Sequence, residues 1–221
     1  MRLDAVKEEY RHRFQMNLGQ WLLYHQRQIV FDKCHWMGAK AYKNPFDAWI
    51  YQEVLYDVKP DVVIEIGSAE GGSTLYLAHL LDLLGGGIVL SIDIDRSKFS
   101  VKHERIVTLT GDSSSGDMIA KVSAICQGKK VLVIHDGDHR KDPCLKDLRA
   151  YSKFVTLNSY LIVEDGIIDL STPGDGIGTL EPGPLAAIRE FLSENPHFVI
   201  DEDRERYLLT YNPRGFLKRV R

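Results

Sequence analysis

The sequence predicts an α/β protein built on a doubly wound, mostly parallel sheet, and three observations predict it. Between Asp61 and Leu192, short apolar runs alternate with longer amphipathic stretches, the pattern of strand, helix, strand repetition. The runs themselves are uninterrupted, as expected of parallel strands covered on both faces. After Leu192 the alternation stops and strand-like runs follow one another without a helix between them. Such a tail adds antiparallel strands at one edge, so the expected sheet is seven-stranded and ends in an antiparallel hairpin.

Each element has a local reason. Leu3, Val6, Tyr10, Phe14, Leu18, Trp21 and Leu22 recur at three- and four-residue steps, so the first thirty residues read as one long amphipathic helix. Its stripe packs on the main domain, or serves as a dimer contact or a lid. A second helix starts at Asn44, where Asn can cap, Pro45 suits the first helical position and Asp47 favours the first turn. It ends before Lys59-Pro60. Residues 1–58 thus form an N-terminal helical extension and 59–221 the main domain. Parallel strands are expected at Val62 to Ile66, Ile88 to Ile92, Arg105 to Leu109, Val131 to Ile134 and Tyr160 to Val163. Helices are expected at Ser73 to Leu83, Gly116 to Ile125, Pro143 to Lys153 and Pro184 to Leu192. In the tail, Phe198 to Asp201, Tyr207 to Tyr211 and Phe216 to Val220 read as strands, the last two joined by a turn at Asn212-Pro213-Arg214-Gly215.

Composition narrows the partners. The 221 residues carry a net charge of -3, with 44% hydrophobic and 27% charged residues. This balance supports neither nucleic-acid coating nor polybasic membrane binding. Apolar runs are too short to span a bilayer, and Met1-Arg2-Leu3-Asp4 leads into no apolar signal segment. Cys34, Cys126 and Cys144 are odd in number and widely spaced, so reduced thiols in a cytoplasmic protein are expected.

The first strand runs into Glu65-Ile66-Gly67-Ser68-Ala69-Glu70-Gly71-Gly72-Ser73. Ligands of open parallel sheets sit at the carboxyl ends of the strands, and glycine lets the backbone approach them. The loop is neither G-x-G-x-x-G nor a phosphate loop. Glu65 and Glu70 would repel a pyrophosphate and attract the sulfonium and ammonium of S-adenosylmethionine. Asp93, ending the second strand, can accept hydrogen bonds from a ribose diol, and Gly111-Asp112-Ser113 ends the third strand where adenine would lie. Each of these acids could otherwise be a helix cap or a solvated loop carboxylate.

Strand four ends in His135-Asp136-Gly137-Asp138-His139 and strand five in Glu164-Asp165-Gly166. As sheet neighbours they bring Asp136, Glu164 and Asp165 together, and clustered carboxylates call for a cation. Mg²⁺, or Ca²⁺ or Mn²⁺, suits such oxygen ligands. His139 is either a general base or a hydrogen-bond partner of a ligand carboxylate; His135 reads as structural.

These residues resemble the cephalosporin hydroxylase/rhamnosyl O-methyltransferase family, a Rossmann-like branch of class I S-adenosylmethionine-dependent methyltransferases. The resemblance runs from about Trp36 onward. It is carried by Lys43-x-Pro45-x-Asp47-x-Trp49-x-Tyr51-Gln52-Glu53, Pro60-Asp61, Glu65-x-Gly67-x-x-x-Gly71-Gly72-Ser73, Asp93 and Gly111-Asp112-Ser113-Ser114. Asp136-x-Asp138-His139, Val163-Glu164-Asp165, Gly183-Pro184 and Asn212-Pro213-x-Gly215 complete it. It implies a Mg²⁺-assisted O-methyltransferase with Asp136, Glu164 and Asp165 as metal ligands. Glu65, Gly67, Gly72, Ser73, Asp93, Asp112 and Ser113 fall on the cofactor motif. His135 departs from the apolar residue the family pattern leads one to expect. Members often form homo-oligomers. No His is followed two residues later by Asp or Glu, which argues against a non-haem iron hydroxylase.

The expected function is methyl transfer from S-adenosylmethionine to a hydroxyl of a sugar or small natural product, with Asp136 or His139 taking the proton. The alternatives are an NAD(P)-dependent oxidoreductase and a non-catalytic S-adenosylmethionine-binding partner subunit. The polar segment Ile167 to Pro184 is expected to be a lid or binding loop.

Overall fold

A computed structural model describes residues 3–170 and 182–221. Five parallel strands form most of the sheet: β3 (Val62–Ile66), β4 (Ile88–Asp93), β5 (Ile106–Thr110), β6 (Val131–His135) and β7 (Tyr160–Val163). Two antiparallel strands, β8 (Phe198–Ile200) and β9 (Phe216–Arg219), finish the seven-stranded sheet in the order β5-β4-β3-β6-β7-β9-β8. The order reverses between β3 and β6, which places a crevice at their carboxyl ends. A two-stranded ribbon, β1 (His35–Trp36) with β2 (Ala39–Lys40), precedes the sheet and was not foreseen.

The helices fall where the amphipathic stretches lie: α4 (Pro45–Val58), α5 (Gly72–Leu84), α6 (Gly116–Cys126), α7 (Lys141–Tyr151) and α8 (Pro184–Glu194). Asn44 caps α4, accepting from the Phe46 N–H at 3.2 Å, and Lys59 ends it in a left-handed conformation just before Pro60. One core joins the β3, β4, β6 and β7 faces to α6, α7 and α8 through Ile64, Val133, Leu148 and Phe191. The other joins the opposite faces to α4 and α5 through Ile50, Val54, Leu77 and Leu81. Burying each such side chain stabilises the fold by about 1.5–3 kcal/mol before entropy is counted.

The N-terminal reading needs correction. Instead of one helix there are α1 (Leu3–Arg13), α2 (Leu18–Tyr24), a π-helical turn at His25–Val30 and a single turn, α3 (Phe31–Lys33). The break comes where Asn17 and Gln20 form a reciprocal capping box that starts α2. α1 buries no residue: Leu3 is 67% exposed and Tyr10 48%. The π-turn does dock. His25 Nδ1 lies 2.8 Å from the Tyr211 hydroxyl, and Val30 packs with Ile167 and Tyr211.

Tyr207 to Tyr211 is not a strand. Leu208 has φ +63°, which interrupts an extended run, and the segment bonds to α4 rather than to the sheet. Asp47 accepts from the Thr210 hydroxyl at 2.6 Å, the Tyr211 N–H at 2.9 Å and the Asn44 amide at 3.0 Å. The hairpin is therefore β8 with β9, and β9 lies between β7 and β8. Burial pushes the Asp47 carboxyl up to about 6 against these donors. Because the unfolded value is near 4, the folded chain holds this proton more tightly. The stability it contributes is present below about pH 4 and declines as pH rises through 6. Chemical denaturation across that range should show the decline, and Asp47→Asn should flatten it. Asp47→Ala strands three donors and should cost about 3 kcal/mol.

The segment Ile167 to Pro184 starts as a short 3₁₀ turn, Gly166–Leu170. Residues 171–181, where most of the expected lid falls, lie outside the described residues. On its far side, Asp169 accepts from the N–H groups of Gly183 at 2.7 Å and Leu185 at 2.6 Å, capping α8. No helix among the described residues is long and apolar enough to cross a membrane.

Candidate active site

The strand register sets the site. Ile66 pairs with both Ile92 and His135, and His135 with Val163, so four strand ends emerge side by side. The loop after β3 turns at Gly67, φ +83°, where a Cβ would stand 2.0 Å from the Asp136 carbonyl oxygen. Ala69 continues the turn at φ +44° without glycine's freedom, a strained conformation of the kind held at binding sites. The Asp93 carboxylate locks the loop from the next strand. One oxygen accepts from the N–H groups of Ser68 at 2.8 Å and Ala69 at 3.0 Å, the other from Asp95 N–H at 3.0 Å. Burial opposes its ionisation, but these donors and nearby Arg96 outweigh burial and hold it below the usual carboxylate range. Arg96, which sequence reasoning passed over, braces the same loop by donating to the Ser68 hydroxyl at 2.6 Å and to the Leu109 carbonyl at 3.1 Å.

A cavity of about 760 Å³ opens over this loop. Gly67, Ser73, Asp93, Asp112, Ser113 and Asp136 line it, so strand ends three, four, five and six meet there. Asp112 accepts from the Ser114 N–H and hydroxyl at 2.9 and 2.6 Å. The Ser113 hydroxyl donates to Asp147, whose carboxylate also lies 3.2 Å from Nε2 of the fully buried His135. His135 is thus a structural residue whose polarity is answered from α7.

Glu65 and Gly72 are placed differently from expectation. Neither lines the cavity. Glu65 is fully buried, and its two oxygens accept from the hydroxyls of Ser73, at 2.6 Å, and Thr74. It therefore fixes the first turn of α5 from beneath, with both oxygens engaged by the protein. Burial raises its pKa, with Lys43 and the two hydroxyls opposing. Gly72 lets α5 approach the ribbon: a Cβ there would stand 2.1 Å from the Lys40 carbonyl oxygen.

The carboxylates after β6 and β7 do converge, and an ammonium sits among them. Lys43 Nζ donates to Asp136 Oδ2 at 2.5 Å and to Glu164 Oε1 and Oε2 at 2.7 and 2.6 Å. Burial would discharge it, but Asp136, Glu164 and Glu65 together raise its pKa, so it stays charged. Burial and the Asp136 charge lift the Glu164 carboxyl well above the usual range, against the pull of Lys43. Toward solvent, His139 Nε2 lies 3.3 Å from Asp165 Oδ2 and 3.9 Å from Asp136 Oδ1. Asp136, His139 and Asp165 offer three ligand atoms within 4.8 Å of one another; Glu164 is not in that group. Asp165 is held at φ +59°, its N–H donating to Asn212 Oδ1 at 3.0 Å. A second cavity, of about 310 Å³, lies on this side. Asp136, His139 and Asp165 form its floor, and Val30, Phe31, Tyr42 and Tyr211 line it as well.

Comparison with known proteins agrees with this geometry. The family model for rhamnosyl O-methyltransferase/CmcI matches residues 28–220. A rhamnosyl O-methyltransferase of Mycobacterium tuberculosis (strain ATCC 25618 / H37Rv) is 31% identical over 98% of this chain and 86% of its own. Its counterpart in Mycobacterium leprae (strain TN) is 29% identical over 98% of this chain and 91% of its own. Among solved structures, CmcI described with Mg and SAM superposes with a TM-score of 0.68 at 21% identity, covering 87% of this chain and 79% of CmcI. MycE, a methyltransferase of the mycinamycin pathway described with Mg and SAH, reaches 0.50 at 18% identity over 77% of this chain and 44% of MycE. With a family match over most of its length, and a sheet and crevice of the kind the motif requires, the chain belongs to the rhamnosyl O-methyltransferase/CmcI family of S-adenosylmethionine-dependent methyltransferases.

Proposed function

We propose that this protein transfers the methyl group of S-adenosylmethionine to a hydroxyl of a sugar or sugar-bearing natural product. The observation that carries the reading is the position of Asp136: it lines both cavities, so the two spaces meet at one acid. The larger cavity takes the cofactor and the smaller one the acceptor. The acceptor oxygen attacks the methyl carbon, the carbon–sulfur bond breaks, and the sulfonium leaves as the thioether S-adenosylhomocysteine. The hydroxyl proton passes to His139 or Asp136, the bases that face the acceptor cavity. Asp93 and Ser113 hold the ribose and adenine ends, while Glu65 acts through Ser73. Holding both partners in line supplies a large part of the acceleration.

The donor set fits a divalent cation. Asp136 and Asp165 present hard oxygens beside His139, and the relatives CmcI and MycE are described with Mg. When bound there, such an ion lowers the pKa of the coordinated hydroxyl. Glu164, the third expected ligand, stands outside this group, with both carboxylate oxygens accepting from Lys43 Nζ.

Calorimetry tests the cofactor assignment: S-adenosylhomocysteine should bind while NAD and NADP give no heat, and tight NAD binding would sink it. His139→Ala separates two roles. As base, its loss should slow turnover by about 10²–10⁴-fold; as a partner of the metal ligands, it should weaken Mn²⁺ binding by about 10–100-fold instead. The exposed stripe of α1 suits a second copy of the chain. Light scattering of a variant lacking residues 1–16 should then report a smaller particle that remains folded; an unchanged particle would remove α1 from the assembly.

A further inference from the structure

Lys43 opens the first motif of the family resemblance but received no role from it, and it occupies the centre of the site. It lies just after β2, at the amino end of α4, and its side chain is 7% exposed. Its ammonium joins Asp136, which follows β6, to Glu164, which follows β7, and its charge also reaches Glu65 in β3. Each of these residues is tied into the strand ends in a different way. Glu65 holds Ser73 and Thr74 at the start of α5. The Asp136 backbone is pressed against the glycine loop: its N–H donates to the Ile66 carbonyl at 2.7 Å, and its own carbonyl fills the space beside Gly67. Glu164 is tied back to β6, donating its N–H to the His135 carbonyl at 2.9 Å.

Three acids at three adjacent strand ends repel one another without a counter-charge. Removing one partner of such a buried set is far costlier than removing both, because it leaves a buried charge uncompensated. We propose that Lys43 is a built-in counter-ion of the methyl-transfer site, binding these strand ends together so that the cofactor cavity stands formed whether or not a divalent ion is bound. This rests on the reading of the larger cavity as the cofactor site. Lys43 acts as a positioning residue. It does for the cavity what a metal would otherwise have to do, and leaves Asp136 Oδ1 and Asp165, which face His139, to an ion that serves the acceptor.

The test is calorimetry of S-adenosylhomocysteine at pH 8, in EDTA and in Mn²⁺, on native protein, Lys43→Met and Lys43→Met/Glu164→Gln. Native protein should bind equally in both buffers. Lys43→Met should lose at least about tenfold in EDTA, within the 10–100-fold typical of residues that support a charged site. Mn²⁺ should restore that loss, and so should Glu164→Gln in EDTA, since each removes the uncompensated charge. Equal binding by Lys43→Met and native protein in EDTA would overturn the proposal. So would a loss that neither Mn²⁺ nor Glu164→Gln repairs, which would mean that Lys43 touches the cofactor directly. Should Lys43→Met fail to fold in EDTA, melting curves decide: recovery by Mn²⁺ or by Glu164→Gln upholds the proposal, and recovery by neither refutes it. Native protein that binds no S-adenosylhomocysteine would refute the cofactor assignment instead, and the same melting curves would still judge Lys43.

Discussion

Asp136→Asn is expected to abolish measurable methyl transfer while leaving S-adenosylhomocysteine binding nearly unchanged. Asn keeps the size of the side chain and can still accept from Lys43 Nζ, so the floor of the cavity is preserved. It removes the charge on Oδ1, the oxygen that faces His139 at 3.9 Å. That oxygen either takes the acceptor proton or helps hold the ion that acidifies the hydroxyl. Loss of a general base alone slows a reaction by about 10²–10⁴-fold. Single-turnover methylation and cofactor calorimetry on the same preparation separate the two effects. A variant that keeps its turnover would move the chemistry away from Asp136, and one that loses cofactor affinity in proportion would make Asp136 a binding residue only.

The second large effect is expected at Gly67→Ala. The added Cβ meets the backbone oxygen of Asp136 at 2.0 Å, and φ is +83°, so neither a rotamer change nor a flexible neighbour relieves the clash. The loop must move away from β6, carrying Ser68 and Ala69 off Asp93. The left-handed conformation costs about 1–3 kcal/mol for a non-glycine residue. Displacing the loop by an ångström costs roughly 10²-fold in rate through misplaced reactants. Denaturation should show the stability loss and calorimetry a weaker cofactor. By contrast, a Cβ at Gly85 meets nothing within 4 Å, so Gly85→Ala is strained only by its φ of +80° and should spare the cofactor site. Equal binding by Gly67→Ala and native protein would show that the loop is not the cofactor cradle.

Much of the fold could be read because parallel strands buried on both faces leave apolar runs, and β3 up to Ile64, β6 up to Ile134 and the whole of β7 have that signature. The edge strand β5 was a weaker signal for the same reason, since residues such as Val107 face outward. Tyr207 to Tyr211 misled because its apolar residues imitate a strand, whereas its backbone is claimed by Asp47, 164 positions away from Tyr211. The break in the N-terminal helix did leave a mark, Asn17-x-x-Gln20, which the longer apolar periodicity overrode.

The site was legible in location more than in wiring. Strand ends can be found from sequence, so Asp93, Asp112, Asp136 and Asp165 could be placed at the crevice. Whether a carboxylate faces the ligand or the protein depends on neighbours distant in the chain. Glu65 alternates to the side of Ser73 and Thr74, and no local pattern announces it. Clustered acids need a counter-charge, and Lys43, 93 residues from Asp136 and 121 from Glu164, supplies one. Its local trace was the Lys43-x-Pro45-x-Asp47 motif, which carried the resemblance but gave Lys43 no role.

The position of β9 between β7 and β8 has a consequence for how the chain matures. A ribosome releases β7 well before β9, because Val163 precedes Phe216 by about fifty residues, or roughly 3–10 s of synthesis at 5–20 residues per second. Through that interval the growing chain carries the β7 edge unpaired, with Leu161 and Ile162 along it, and such edges recruit other chains. β8, made earlier than β9, cannot cover the gap, since its sheet partner is β9 itself. The half of the crevice that ends in Glu164 and Asp165 therefore waits on the last strand, and nascent chains halted within this window are the ones a chaperone would need to shield.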